Sequence, residues 1–337
     1  MRPPTQIKSA LVLGAGGWGT ALANTLAMGA IRVQFWGRDS ELMRRIDQHR
    51  LNDRYLPGVP LSQHLRVVEE VGQLEPSDVV LFVVPSKGIA QTAALYEQSQ
   101  AYSAQSILLS CTKGIDQESL RRPSQILSDL CPGNPVAVLT GPNHAEEVGR
   151  QMPTAAVVAC ANEQTAQAVQ NAFTPAWFRI YTSTDVVGAE WCAVLKNCYA
   201  IAAGIGIGLG LGDNAMAALV TRALAEMNRL VTALGGRVTT CQGLAGVGDL
   251  MATCYSPHSR NRALGIELGR GRSLEQILRG SHTVAEGLTN SASLHELARS
   301  RGIEAPILSE VHQILVHGKA AASALGDLLS REAKAED

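Results

Sequence analysis

Three places in this 337-residue chain carry residues whose types and spacing can do chemistry. The first is Gly14-Ala15-Gly16-Gly17-Trp18-Gly19. It follows a short apolar run, Ser9–Leu13, and opens an Ala/Leu-rich helical run. A G-x-G-x-x-G sequence between a strand and a helix is the context in which this motif binds a dinucleotide. Gly14 permits the tight turn, Gly16 lets a pyrophosphate approach the backbone, and Gly19 lets the helix pack closely on the strand. The helix start then offers N–H groups and a partial positive charge to the phosphates.

The second place is Lys196, the one charged residue in the apolar segment Trp191–Ala203, with Asn197 beside it. A buried lysine is costly unless it is paired or deprotonated. Glu190 lies six positions earlier and so off the same helical face. The amine therefore either snorkels to the surface or takes part in chemistry, and the segment alone leaves both readings open. The third is Ser259-Arg260-Asn261-Arg262. Ser259 is placed to cap a helix beginning at Arg260, and such a helix start is a good phosphate cradle. Taken alone, the same four residues read as a capped surface helix with two exposed arginines.

The elements that must position these groups follow in order. Arg32–Trp36, Val79–Val84, Ile107–Ser110, Val136–Thr140, Ala155–Ala159 and Phe178–Tyr181 are short apolar runs that read as strands. Most break into a turn followed by a helical pattern, which predicts a parallel, doubly wound Rossmann-type sheet with helices on both faces. Ligands of such sheets sit beyond the carboxyl ends of the strands, so Lys87, Lys113 and Asn143 are candidates by position. Lys87 reads as a solvated loop residue, whereas Gly114 and a strand terminus hold Lys113 in place.

An acid at the end of the second strand would select NAD through the ribose hydroxyls. Arg38 stands there first, and an arginine pairs with a 2′-phosphate. Asp39 keeps NAD open, or caps the helix Glu41–His49. The reading favours NADP(H), with NAD(H) tolerated.

From about Gly188 the pattern turns helical. Gly204–Gly212 reads as a mobile or tightly packed connector. Asp213 is expected to cap a helix running from Met216 to Leu234, ended by Gly235-Gly236. Ser273–Gln276 is a capping box, and Pro306 opens a helix that Gly318 closes. The expectation is an α/β protein: a dinucleotide-binding domain over 1–188 and an all-α substrate domain over 189–337.

A net charge of −1 argues against a nucleic-acid or membrane-surface partner, so any basic site is local. Seven cysteines, an odd number without a C-x-x-C pair, read as reduced thiols of a cytoplasmic protein. Eight histidines show no metal-ligand spacing, so no metal is expected. Ala200–Leu211 is too short to span a bilayer uninterrupted.

The chain resembles the bacterial NAD(P)-dependent glycerol-3-phosphate dehydrogenase family over nearly its whole length. The matching pieces are Gly14–Ala23, Trp36-Gly-Arg-Asp39, Val84-Pro-Ser86, Thr112-Lys-Gly114, Gly141-Pro142, Leu195-Lys-Asn197, Gly243–Asp249, Ser259–Arg262 and Val284-Ala-Glu-Gly287. The resemblance implies reversible reduction of dihydroxyacetone phosphate to sn-glycerol 3-phosphate, supplying the phospholipid backbone, in a cytoplasmic homodimer. It implies Lys196, Lys113 and Asp249 as catalytic residues. Its substrate contacts fall on Lys113, Gly141, Asn143, Lys196, Asp249, Ser259, Arg260 and Asn261. Its cofactor contacts fall on Gly17, Trp18, Arg38, Lys113, Ala145, Arg260, Val284 and Glu286, beside the motif glycines Gly14, Gly16 and Gly19. Asn143-His144 departs from the family's usual serine or threonine followed by an aromatic. Two other readings compete: a dehydrogenase of β-hydroxy acids or ketoacids such as ketopantoate, and a nucleotide-sensing module without catalysis.

Overall fold

The computed structural model describes residues 4, 6–29, 31–173, 175–279, 285–333 and 335–336. The chain divides into two compact units, Met1–Glu190 and Trp191–Asp337.

The first unit is built on one eight-stranded sheet. In chain order its elements are β1 (Ser9–Leu13), α1 (Gly17–Ala27), β2 (Arg32–Trp36), α2 (Ser40–His49), β3 (Leu65–Val68), β4 (Val79–Phe82), α3 (Ile89–Glu97), β5 (Ile107–Ser110), α4 (Pro123–Leu130), β6 (Val136–Thr140), α5 (Ala145–Gly149), β7 (Thr154–Cys160), α6 (Glu163–Ala172) and β8 (Phe178–Ser183). The strand order is β3-β2-β1-β4-β5-β6-β7-β8. The strand order reverses between β1 and β4, which makes that junction the switch point where open α/β sheets bind ligands. Apolar residues alternate to the two faces. Val12, Phe35, Leu81 and Leu109 enter one core, and Leu11, Leu13, Val80, Phe82 and Leu108 enter the other. Burial on both faces is what makes the strands read as continuous apolar runs.

Two features depart from the sequence reading. β3 was not expected. It is four residues long and carries exposed Arg66, so it lacks the apolar continuity of the central strands. β7 pairs antiparallel to β6, where an all-parallel sheet was expected. The link between them carries only the five-residue α5, too little helix for the usual parallel crossover.

The second unit is helical. α7 (Val186–Gly208) carries the chain into it, followed by α8 (Asp213–Ala233), α9 (Val238–Cys241), a π turn (Leu244–Gly248), α10 (Asp249–Tyr255), α11 (Arg260–Gly269), α12 (Leu274–Arg279), α13 (Glu286–Ser300), α14 (Pro306–His317) and α15 (Ala321–Leu329). α7 is long and apolar enough to cross a membrane, with mean hydropathy 1.3 over an 18-residue stretch, but 89% of that stretch is buried inside the protein. It is a core helix.

The expected connector at Gly204 is helix as far as Gly208. The reason is close packing. A Cβ on Gly204 would lie 2.2 Å from the Arg262 carbonyl oxygen and 2.9 Å from Gly265 Cα, and one on Gly208 would lie 2.8 Å from Gly269 Cα. Two pairs of glycines, each four apart, therefore form a seam that brings the α7 and α11 backbones together. Asp213 is not a cap. Gly212 holds the N-cap position, and Asp213 is the first helical residue, where its charge still suits the helix dipole.

Candidate functional site

In the first unit the glycine turn leaves β1 at the switch point. Gly14 has φ +124°, and a Cβ there would strike the Val83 carbonyl oxygen at 2.2 Å. A Cβ on Gly19 would meet the Gly14 carbonyl oxygen at 1.8 Å. These two glycines are required by strand–helix packing. Gly16 differs: a Cβ there would meet nothing within 4 Å, so its open side is free for a ligand. Gly17 packs under the Tyr55 carbonyl, and Trp18 and Ala145 join one apolar cluster with Leu56, Val59 and Val148. Asn52, fully buried, donates from Nδ2 to the Ala15 carbonyl at 3.0 Å and to Thr20 Oγ1 at 2.7 Å, fixing the turn from outside.

Arg38 is exposed just past β2. Asp39 caps α2 by accepting from the Leu42 N–H at 3.0 Å, and its other oxygen lies 3.5 Å from Arg54. One oxygen of its carboxylate is thus engaged in the cap, and Asp39 and Arg38 are both exposed.

Adjacent strands β5 and β6 bring Lys113 and Asn143 together. Lys113 Nζ donates to Asn143 Oδ1 at 2.5 Å and to the Gly141 carbonyl at 3.1 Å. Asn143 Nδ2 and Thr140 Oγ1 are buried with no protein partner, as is Trp18 Nε1. Such orphaned donors at strand ends fit a polar ligand. Together with the open face of Gly16, they fit a dinucleotide and an oxygen-rich substrate. Lys87 is exposed, as expected of a solvated lysine.

In the second unit Lys196 is 4% exposed and does not snorkel. Its Nζ donates to the Asp249 carboxylate and, at 2.9 Å, to Thr253 Oγ1. The Thr253 hydroxyl donates in turn to the Asp249 carbonyl at 2.6 Å, which leaves its lone pairs to the amine. Sequence reasoning missed Thr253. The available signal was its position four residues after Asp249 on one helix face.

Asn197, next to Lys196, accepts from Asn261 Nδ2 at 3.0 Å, and Asn261 Oδ1 accepts from the Gly287 N–H at 2.9 Å. This chain ties α7 to the starts of α11 and α13. Ser259 caps α11 by accepting from the Arg262 N–H at 3.2 Å, and Arg260 is exposed at the first helical position. Glu286 begins α13, half-buried. Val284 lies outside the described residues. His258 is exposed, and His144 sits at the N-cap of α5. Among the described residues no group of three His, Cys, Asp or Glu side chains is arranged to hold a metal ion.

The fold and these side chains define a Rossmann-type, dinucleotide-dependent oxidoreductase with a helical second unit. Comparison with known proteins narrows the class. Residues 9–166 match the model of the NAD-dependent glycerol-3-phosphate dehydrogenase N-terminus, and residues 185–326 match that of its C-terminus. Glycerol-3-phosphate dehydrogenase, NAD(P)+, of Chlorobium limicola is 43% identical over 330 residues, 96% of this chain and 98% of that one. The protein of the same name from Desulfitobacterium hafniense is 42% identical over 96% of this chain and 92% of its own. The crystal structure of glycerol-3-phosphate dehydrogenase from Coxiella burnetii superposes with TM-score 0.90 at 36% identity, covering 97% of this chain and all of that one. The chain belongs to the NAD-dependent glycerol-3-phosphate dehydrogenase family. A ketopantoate reductase from Ralstonia eutropha shares only the fold, at TM-score 0.55 and 17% identity.

Proposed function

We propose that this chain catalyses the reversible NAD(P)-dependent interconversion of dihydroxyacetone phosphate and sn-glycerol 3-phosphate, with the first unit binding the dinucleotide and the second supplying proton transfer and phosphate binding. The observation that carries the reading is the buried Lys196 amine held by Asp249 and Thr253 in a chain of this family.

Bound at the glycine turn, NAD(P)H supplies the hydride for the ketone carbon. Gly16, Gly17 and the start of α1 offer backbone N–H groups to its pyrophosphate, and Arg38 pairs with the 2′-phosphate of NADP(H). Trp18, Ala145, Val284 and Glu286 complete the cofactor contacts. As negative charge develops on the carbonyl oxygen, Lys196 delivers a proton to it, and Asp249 and Thr253 keep the amine oriented. Lys113, aimed by Gly141 and Asn143, is the second lysine of the proposed reaction. Ser259, Arg260 and Asn261 hold the phosphate, whose binding energy positions the carbonyl. Asn143 keeps one donor, Nδ2, for the substrate. The reading extends to a homodimer working in the cytoplasm, its product supplying the phospholipid backbone.

The test is steady-state turnover with dihydroxyacetone phosphate against ketopantoate and other carboxylated ketoacids, with NADPH and NADH in turn. Preference for the phosphorylated ketone, lost in Lys196→Ala with NADPH binding intact, supports the proposal. Near-normal turnover in that variant removes Lys196 from the mechanism. NADPH binding without oxidation would instead favour a nucleotide sensor.

A further inference from the structure

Four residues before Lys196, on the same face of α7, lies Cys192, and its Sγ donates to Cys241 Sγ at 3.5 Å. Both thiols are buried. We propose that this pair is a modification site at which a hydroperoxide forms a reversible disulfide, and that the disulfide displaces Asp249 from its position beside Lys196 and arrests turnover. The consequence for turnover rests on Lys196 and Asp249 being the catalytic pair.

The geometry sets which part moves. A disulfide needs sulfurs about 2.05 Å apart, so the pair must close by roughly 1.5 Å. Cys192 sits in a 23-residue core helix. Cys241 ends the four-residue α9, bracketed by Gly235-Gly236 and Gly243, with Val238 and Thr239 exposed. The short, solvent-facing element yields first. It cannot move alone. In the π turn, Gly246 is pressed on the Cys241 backbone so closely that a Cβ would fall 2.0 Å from the Cys241 carbonyl oxygen and 2.3 Å from its Cα. That turn runs directly into Asp249. Drawing Cys241 towards α7 therefore shifts the segment that delivers the carboxylate to Lys196.

The chemistry balances as a two-electron oxidation. Local opening of α9, a four-residue element with Val238 and Thr239 exposed, brings the peroxide to Cys241. Its thiolate attacks the peroxide oxygen, the O–O bond breaks, and water leaves, giving a sulfenic acid. On reclosing, Cys192 attacks that sulfur, and the hydroxyl departs as a second water with the Cys192 proton. Two thiols and one hydrogen peroxide become one disulfide and two waters.

The experiment treats the reduced full-length protein with hydrogen peroxide, quenches with catalase, and follows two readouts: non-reducing peptide mapping for a Cys192–Cys241 cross-link, and kcat with the NADPH dissociation constant. We expect cross-linked fraction and lost kcat to rise together, NADPH affinity to stay within twofold, and dithiothreitol to restore the starting rate. Cys241→Ala should start at the wild-type rate and keep it through the same treatment. A cross-link without loss of kcat overturns the proposal. So does loss of kcat with no cross-link, or loss that persists in Cys241→Ala. Should that variant fail to fold, the wild-type map and rate alone decide. Lys196→Ala retains both cysteines, so its map still reports the disulfide, while its turnover separately reports on the catalytic assignment.

Discussion

Lys196 is bound to Asp249 within the helical unit, and the side chains of the two residues are 5% and 2% exposed. A buried ion pair is weak evidence for stability, because desolvation offsets the attraction. Removing one partner is another matter. Asp249→Ala leaves the ammonium without its carboxylate and is expected to cost about 3–5 kcal/mol, read as a fall in the denaturation midpoint. Lys196→Ala removes the charge that needs the carboxylate and should lower kcat by about 10²–10⁴-fold, the usual worth of a positioned proton donor. In both variants NADPH affinity, measured by fluorescence titration, should stay close to wild type. A Lys196→Ala enzyme with unchanged kcat would remove the proton-donor role.

The choice between cofactors turns on Arg38. Asp39 uses one carboxylate oxygen to cap α2, and the guanidinium of Arg38 is exposed just past the end of β2. A hydrogen bond to a charged group is worth about 1.5–3 kcal/mol, or roughly 10–150-fold in affinity. Arg38→Ala should raise the KM for NADPH by about that factor, leave the KM for NADH within about twofold, and leave kcat with either cofactor little changed. Equal effects on both cofactors would mean that Arg38 does not read the 2′-phosphate.

Much of this site could be read from the chain because its residues sit where the chain changes type. The glycine turn interrupts a strand–helix junction, Lys196 interrupts an apolar run, and Ser259 starts a helix. Those interruptions are local. The partners of Lys196 are not: Asp249 lies 53 residues away, and Thr253, four residues after it on the same face of α10, stands out only once Asp249 is known to meet the amine. The direction of β7 was equally hidden, since Thr154–Cys160 presents the same apolar run to either pairing sense. Gly204 and Gly208 were ambiguous for a related reason. A glycine-rich stretch reads as loose until its partner glycines, some 60 residues on in α11, are known to face it.

That seam gives a third test. A methyl on Gly204 would need space now occupied by the Arg262 carbonyl and the Gly265 Cα, both backbone. No rotamer change relieves such a contact, so one of the two helices must move. Overpacking of this kind costs about 1–3 kcal/mol. Gly204→Ala should lower the melting temperature. Because α11 carries Arg260 and Asn261, it should also raise the KM for dihydroxyacetone phosphate while leaving NADPH affinity in place. Loss of stability with an unchanged KM would mean that the seam supports the fold without setting the phosphate cradle.

Glu226 on α8 is fully buried, yet its carboxylate accepts from the N–H groups of Ile307 and Leu308, each at 2.9 Å, and from the Tyr199 hydroxyl at 3.3 Å. It thus caps the N-terminus of α14 from a distant helix, satisfying two of the donors that a helix start leaves open. Burial raises it to about 7 from 4.5, against the opposing pull of those hydrogen bonds and of Arg229. The sign of the pH effect follows. Between pH 4.5 and 7 the folded protein holds a proton at Glu226 that the unfolded chain has released. The favourable contribution is therefore complete below about 4.5 and is lost as pH rises through about 7. At about 1.36 kcal/mol per unit, the span is on the order of 3 kcal/mol. Glu226→Gln, which cannot ionise, should change stability relative to wild type in its own favour by up to about 3 kcal/mol between pH 5 and pH 8. The measurement is urea denaturation of both proteins at each pH. Parallel curves, with the same difference at both values, would show that Glu226 keeps one protonation state throughout.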